Sequence, residues 1–403
     1  MEEYDVLVVG AGPGGSAAAR SSTAGGLKTL LIERKKLPRR KACSGIITNV
    51  TQNYVLTRFG PIPEDVFGKP YVSKGMAFHF PSAGKTVFGD VDCYNLYVWR
   101  DKFDFFLASS SGARLQDETS FTNIEQNKDK YEVTLKSKGR KWKVKTKYLI
   151  GADGGNSRVT MRHAPDVFKK QEHVWAAQKY FEGTVDANEY YLYWMINKGF
   201  GPFPWLNVKD DQIIIGLTTV PGVHFNGIFT GYLEFLKKNF NLKIKRELAT
   251  EGCVANLGTT VNKFFPGRGN VLMVGDACGF VNMGHCSISS AMVSGTAAGE
   301  AIAEGLKSKT SPLEIYKKKI EPEMINTLDQ WNPFRMLHTA GSGRYRQPAV
   351  FQGFSFPQKA KMMGELISFA LREFKPLKTV LPIMGKQVLR RSIFRKYKLG
   401  IMD

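Results

Sequence analysis

Three glycines at 10, 12 and 15 and an acid at 33 are the residues of this 403-residue chain best spaced to do chemistry. The segment Tyr4-Asp-Val-Leu-Val-Val-Gly10-Ala-Gly12-Pro-Gly14-Gly15 sets a G-x-G-x-x-G pattern after a short apolar run. Gly10 permits a tight turn, Gly12 lets backbone approach a pyrophosphate, and Gly15 lets a helix pack closely on a strand. The small residues Ser16 to Ala19 open that helix, whose N-terminus offers free N–H groups and partial positive charge to phosphate. A second apolar run, Thr29-Leu-Leu-Ile-Glu33, ends in an acid about 20 residues downstream, where a carboxylate binds ribose hydroxyls. Arg34 follows it directly. Late in the chain, Asn270-Val-Leu-Met-Val-Gly275-Asp276-Ala277 supplies a second strand ending in a glycine turn. Together the two motifs point to a dinucleotide gripped at both ends, and so to FAD.

The elements that must hold these residues can be read coarsely. The expected fold is α/β: a Rossmann-type FAD-binding domain with an inserted antiparallel-sheet substrate domain and a helical, basic C-terminus. Residues 1–60, 96–169 and 256–310 would form the FAD-binding domain. Residues 61–95, with four prolines, and 170–255, rich in aromatic and β-branched residues, would form the substrate sheet. Residues 311–403 would be the helical region with its basic tail. Tyr131-Glu-Val-Thr-Leu and Lys141-Trp-Lys-Val-Lys-Thr-Lys147 alternate as strands do. They lead into Tyr148-Leu-Ile-Gly-Ala-Asp153-Gly154, a strand stopping in a glycine turn.

Composition narrows the function classes. No apolar stretch approaches the ~20 residues of a membrane span, and a first strand at residue 4 gives no expectation of a signal peptide. Five scattered cysteines lack metal-ligand spacing and fit a reducing, cytoplasmic setting. Net charge is +21, with clusters at Arg34–Lys41 and in the C-terminal segment, where Lys386, Arg390, Arg391, Arg395, Lys396 and Lys398 alternate with apolar residues. Such a segment fits an amphipathic helix on the anionic inner face of a membrane, or equally a solvated basic face. An acidic electron-donor protein is the other partner that this charge fits. Nucleic acid is not expected, because no nucleic-acid-binding module is visible.

The order G-x-G-x-x-G, then Arg100 before Phe103-Asp104, then Gly151-Ala-Asp153-Gly154-Gly-Asn-Ser157, then Gly275-Asp276-Ala277-Cys-Gly279 resembles a large flavoprotein superfamily. That superfamily includes aromatic-ring hydroxylases, flavin halogenases, electron-transfer flavoprotein dehydrogenases and geranylgeranyl reductases. The resemblance implies that Arg100 contacts the FAD, that Asp153 and Gly154 lie at the turn beneath it, and that Asp276 holds its phosphate–ribityl region. Lys41-Ala42-Cys43-Ser44-Gly45-Ile46-Ile47 is similar to the cysteine segment of the geranylgeranyl reductases, which saturate isolated alkenes in prenyl chains. In that branch the cysteine lies near the flavin ring, which implies cofactor contacts for Cys43, Ser44 and Gly45. A free thiol is mostly protonated at neutral pH and can donate a proton. Cys43 is therefore a candidate catalytic acid, or a small buried hydrophobe.

Two segments depart from that branch. After Gly-Asp-Ala the reductases continue Gly-Phe-Val-Asn-Pro-x-x-Gly-Glu-Gly-Ile, with glycines bringing backbone N–H groups to the flavin. Here the run is Gly279-Phe-Val-Asn-Met-Gly284-His285-Cys286-Ser287-Ile288. Gly284, Ser287 and Ile288 remain expected cofactor contacts, and His285 and Cys286 are either unusual catalytic-site residues or tolerated replacements. The reductases' Tyr-x-Trp-x-Phe-Pro pattern survives only as Phe203-Pro-Trp205-Leu-Asn207-Val208. Tyr193, Phe203 and Trp205, within a larger aromatic cluster, are candidate substrate contacts or simply sheet core.

The expected function is an FAD-dependent oxidoreductase reducing carbon–carbon double bonds of a hydrophobic isoprenoid-type substrate by hydride transfer. With only one G-x-G-x-x-G, the electron donor is a transient visitor, NAD(P)H or a reduced ferredoxin. Two rivals stand on the same scaffold: a monooxygenase of aromatic or polyketide substrates, and a flavoprotein passing electrons to a quinone.

Overall fold

The computed structural model describes residues 1–81, 84–196, 200, 204–219, 223–256, 263–282, 287–330 and 400–401. From the N-terminus run β1 (Glu3–Val9), α1 (Pro13–Ala24), β2 (Thr29–Ile32), β3 (Ile46–Ile47) and α2 (Asn49–Phe59). Next come β4 (Phe67–Phe80), β5 (Lys85–Val98), α3 (Arg100–Ser109), β6 (Arg114–Gln116), β7 (Ser120–Asn127), β8 (Lys130–Ser137) and β9 (Arg140–Gly151). Two short helices, α4 (Arg158–His163) and α5 (Pro165–Phe168), lead to β10 (His173–Thr184), β11 (Tyr191–Met195), β12 (Trp205–Lys209) and β13 (Gln212–Thr219). The described chain continues through α6 (Phe225–Asn239), β14 (Lys243–Asn256), β15 (Lys263–Phe264), β16 (Gly267–Arg268), β17 (Val271–Met273), α7 (Ser287–Ser308) and α8 (Pro312–Gln330).

A parallel core, β17-β9-β1-β2-β6, forms the first sheet, with β16 on one edge and the β7–β8 hairpin paired to the N-terminal half of β9. Leu7, Val8, Leu30, Leu31, Leu149 and Ile150 are all but fully buried, the continuous apolar reading of strands covered on both faces. Helices α1 and α7 cross with their backbones nearly touching. A Cβ on Gly295 would come within 2.0 Å of Gly14 O, and one on Gly299 within 2.7 Å of Ala18 O. Close packing of these helices fixes the start of α1 against the first sheet.

The second sheet has the order β14-β10-β13-β12-β11-β4-β5-β3, antiparallel except between β11 and β4. Strands from 67–98 and from 173–256 thus lie in one sheet, although some 75 residues of the first unit separate them. Helix α6 covers one face, where Phe229, Tyr232 and Leu236 pack on Leu206, Ile213, Ile215 and Leu217. The opposite face carries Met76, Phe78, Leu192, Trp194 and Trp205, with Ile46 against them. The pleat decides this division, since alternate residues of a strand point to opposite faces. Ile46 and Ile47 pair with Tyr97 and Leu96, so the segment just after Cys43 belongs to this second sheet and not to the first. Two residues are too few to show a strand period, which is why the sequence placed them with the FAD-binding domain. No described helix is long and apolar enough to cross a membrane.

Candidate active site

The first glycine turn is held by sterics. Gly10 has φ +105°, and a Cβ there would lie 2.4 Å from Ala152 O. A Cβ on Gly15 would lie 1.8 Å from Gly10 O, which no side chain tolerates. Gly14 instead serves packing, since its Cβ position faces Ala291 O of α7 at 3.1 Å. Gly12 is the open one: the nearest atom to its Cβ position is a guanidinium nitrogen of Arg39 at 3.8 Å. Glu33, at the end of β2, turns back to this turn. Its Oε2 accepts from Ala11 N (3.2 Å) and sits 3.1 Å from Arg39 Nε, while Oε1 accepts from Lys35 N (3.0 Å).

Arg39 also explains the Arg100-x-x-Phe-Asp pattern. Its Nη1 donates to Asp104 Oδ2 at 2.8 Å, and Arg100 donates to the same carboxylate from Nε (2.9 Å) and Nη2 (3.1 Å). Asp104 is fully buried. Burial by itself would raise its pKa, but the two guanidinium groups more than offset that and hold it below the usual carboxylate range. One buried carboxylate thus joins the loop after β2 to the start of α3. Arg34, by contrast, is exposed and lines a separate groove with Lys36, Lys136, Lys138, Lys141 and Arg158.

The second grip sits at the end of β17. Gly275 has φ +57° and donates its N–H to Ser294 Oγ at 3.0 Å. No described residue hydrogen-bonds the Asp276 carboxyl. Burial pushes its pKa up, opposed by the charges of Lys41 and Arg100. Asp153 is occupied locally, accepting from Ser157 Oγ (2.6 Å), Arg158 N (2.7 Å) and Val159 N (3.1 Å) to cap α4. Gly154 beside it has φ +85° and open space where a Cβ would stand. Ser287 Oγ accepts from Asn282 N (3.0 Å), and Ile288 is buried with Ala17, Phe103, Met292 and part of Cys43. Open backbone at Gly12 and Gly154, and a carboxyl at Asp276 without a protein donor, fit FAD held along this line.

Cys43 is pinned by side chains that the sequence reading did not single out. Its carbonyl accepts from Gln178 Nε2 (3.3 Å), and its Sγ accepts from Gly45 N (3.4 Å). Gln178 also accepts from Trp205 Nε1 at 3.1 Å and donates to Tyr180 Oη at 2.7 Å. Lys209, 1% exposed, donates from Nζ to Ser44 O (3.2 Å) and Val98 O (2.9 Å) and lies 4.0 Å from the Trp99 ring centre. Gly45 makes this approach feasible, because a Cβ at its φ of +72° would strike Val98 O at 2.1 Å. A cavity of about 140 Å³ opens beside the thiol, lined among others by Lys41, Arg100, Trp99, Tyr180 and Lys209. Arg100 reaches both the Cys43 thiol and Asp104. Burial pushes Lys209 down to about 8, against the opposing charges of Cys43 and Asp210, and pushes Tyr180 up to about 12.

The candidate substrate contacts do not stay together. Trp205 faces the Cys43 loop, with its indole stacked where Gly216 leaves room: a Cβ on Gly216 would lie 2.0 Å from Trp205 Cζ2. Tyr193 points to the other side of the sheet. It packs against Phe240 beneath α6, and its hydroxyl accepts from Asn188 N at 3.0 Å. Tyr193 is therefore withdrawn as a substrate contact, because strand alternation turns it away from Trp194 and Trp205. Phe203, Gly284, His285 and Cys286 lie outside the described residues, as does the basic tail from Lys386 to Lys398. Lys209 had one legible signal, since residues 205, 207 and 209 alternate onto one strand face, and Gln178 on β10 had none. Nothing local links either residue to Cys43.

Comparison with known proteins places this geometry. The model of the FAD binding domain family matches residues 3–224. Digeranylgeranylglycerophospholipid reductase of Methanococcus vannielii is 31% identical over 76% of this chain and 79% of its own length. The reductase of the same name from Methanocaldococcus jannaschii is 29% identical over 75% and 78%. Among solved structures, a geranylgeranyl bacteriochlorophyll reductase-like protein of Thermoplasma acidophilum superposes with a TM-score of 0.72 at 20% identity, over 94% of this chain and all of the other. The fold and these relationships converge: the chain is an FAD-dependent oxidoreductase of the geranylgeranyl reductase family, within the flavoprotein superfamily of the aromatic-ring hydroxylases.

Proposed function

We propose that this enzyme reduces carbon–carbon double bonds of a hydrophobic isoprenoid-type substrate. The observation that carries the reading is the Cys43 residue, bonded through its carbonyl to Gln178 of the second sheet and bordering a cavity that Arg100, Tyr180 and Lys209 also line. Reduced FAD, when bound, supplies the hydride for one alkene carbon. The other carbon needs a proton, and Cys43 is the acid bordering the cavity on the proposed substrate side. In the forward step its S–H bond breaks and a C–H bond forms, leaving a thiolate beside Arg100. Gln178 and Lys209 hold the loop so that the thiol keeps its place, and the buried sheet face excludes water.

The transient donor is NAD(P)H or a reduced ferredoxin, and the exposed groove with Arg34, Lys36 and Arg158 favours an acidic protein. We place the enzyme in the cytoplasm, with the C-terminal basic segment resting on the inner face of the membrane. Removal of residues beyond 385 is then expected to lower affinity for anionic vesicles; equal affinity in both forms would discard that role.

The reading is tested anaerobically with photoreduced holoenzyme and polyprenyl lipid. Reoxidation with gain of two hydrogens per double bond supports it. Oxygen inserted into an added aromatic, with no alkene reduction, would replace it by the monooxygenase reading. Cys43→Ser is expected to keep its full complement of FAD and to lose roughly 10²–10⁴-fold in turnover, the range of general acid catalysis. Undiminished turnover would reduce Cys43 to a packing residue.

A further inference from the structure

Lys209 holds the Cys43 loop, but a neutral donor could do the same, so the charge of the buried amine is left unexplained. A lysine 1% exposed in a sheet interior is costly, and no carboxylate oxygen among the described residues lies within ion-pair distance of its Nζ. Two glycines on separate elements make room for it. A Cβ on Gly68 would lie 2.6 Å from its stem carbons, and one on Gly45 would lie 2.9 Å from Nζ. Two of its three N–H bonds go to Ser44 O and Val98 O, which leaves one without a protein oxygen. The charged and titratable groups around it are Cys43 on the loop, Asp101 and Arg100 on α3, and Asp210 on its own strand end. Asp210 is turned away, accepting from Lys69 N (2.6 Å) and Trp99 Nε1 (2.5 Å). Cys43 and Lys209 border the same cavity.

We propose that Lys209 is the proton supply of Cys43: after the thiol has protonated the substrate, the Lys209 ammonium returns a proton to the thiolate and is itself reprotonated from water through the cavity. The step balances, with one N–H bond broken, one S–H bond formed, and the amine recovering its proton from solvent. Three other groups that line the cavity, Arg100, Tyr180 and Lys41, are unsuited. The guanidinium of Arg100 is held still more firmly protonated by Asp104, the Tyr180 hydroxyl is pushed up to about 12, and Lys41 is raised. Lys209 is the group that burial moves toward neutrality, to about 8.

This inference rests on Cys43 as the acid, and its test separates the two ideas. Single-turnover and steady-state reduction are compared in wild-type, Lys209→Met and Lys209→Arg holoenzymes. Iodoacetamide labelling of Cys43, which needs no substrate, is followed from about pH 6 to about pH 10. Loss of the Lys209 bonds to Ser44 O and Val98 O loosens the loop and slows the first turnover as well, so the readout is the ratio of the steady-state to the first-turnover rate, which should fall in both variants. Steady-state turnover should fall at least tenfold in both variants, short of the 10²–10⁴ of an acid in direct contact. The labelling profiles of both variants should differ from that of wild type, and superposable profiles would mean that Lys209 does not govern the thiol. A structural pin alone would slow the first turnover as much as the later ones, and that outcome, or wild-type steady-state rates in Lys209→Arg, overturns the proposal. Should Lys209→Met fail to fold, the rates and the labelling profile of Lys209→Arg set against wild type decide. If Cys43→Ser retained full activity, the acid reading would fail, whereas labelling would still report whether Lys209 governs the thiol.

Discussion

At the nucleotide cradle the chain works largely with bare backbone: Gly10 and Gly15 occupy positions where a Cβ would lie 2.4 Å and 1.8 Å from a carbonyl oxygen, and Gly12 and Gly154 leave open space. At the Cys43 face the reverse holds. Gln178 from β10, Trp205 and Lys209 from β12 and Arg100 from α3 converge on one loop through long side chains. Backbone contacts suit a ligand whose phosphates take N–H groups anywhere along a turn. Side-chain contacts suit a reaction that needs one thiol in one place. The cradle is thus all-or-nothing under substitution, while the face can be altered one group at a time.

Gly15→Ala should break the cradle outright. Its methyl must displace Gly10 backbone, so FAD is expected to be absent from the purified protein and stability to drop by more than about 4 kcal/mol, a size reserved for such clashes. A normal flavin spectrum would contradict the steric account. Asp104→Asn strikes the join between the two regions. It leaves Arg100 without its carboxylate in the interior and Arg39 with Glu33 alone, and is expected to cost about 3–5 kcal/mol in denaturant titration. The depressed carboxyl means that this stability is present above the ordinary carboxylate range and is lost as pH falls through the lowered folded value.

Lys209→Met sharpens the contrast by pH. The folded amine titrates near 8 against an ordinary value of 10.5. Below 8 both states are protonated and the burial cost is fully present; between 8 and 10.5 the unfolded chain binds more protons, so stability rises with pH. Wild type should gain about 3 kcal/mol relative to Lys209→Met across that window, and parallel curves would show that the amine is not desolvated. The smallest effect belongs to Tyr193→Phe, which removes one hydrogen bond on the face under α6. A loss of about 1 kcal/mol in stability with unchanged turnover is expected, whereas a slowed reaction would return Tyr193 to the site.

Legibility followed the same division. The glycine turns, Glu33 and the Gly-Asp-Ala return could be read because their steric demands are local and leave a fixed spacing. Arg100 and Asp104 were visible as a pattern, but Arg39, which completes their network, was hidden in a run of basic residues. Tyr193 and Trp205 read alike as aromatic strand residues, and only the pleat and register separate them. Gln178 lies 135 residues from Cys43, and Lys209 lies 165 residues from Ser44.

The sequence by itself therefore determined the α/β class, the FAD cradle, the membership in a flavoprotein superfamily and Cys43 as the thiol of interest. The class and the cradle rest on short-range spacing, where chain geometry leaves few alternatives, and the superfamily and Cys43 rest on the resemblance of short motifs. Tertiary structure alone decided that Ile46-Ile47 joins the second sheet, in what order the strands of the two excursions lie in that sheet, and which strand face meets the thiol. Those outcomes depend on strand register, and a shift of one residue would have turned Gln178 and Lys209 outward and left Cys43 without its supports.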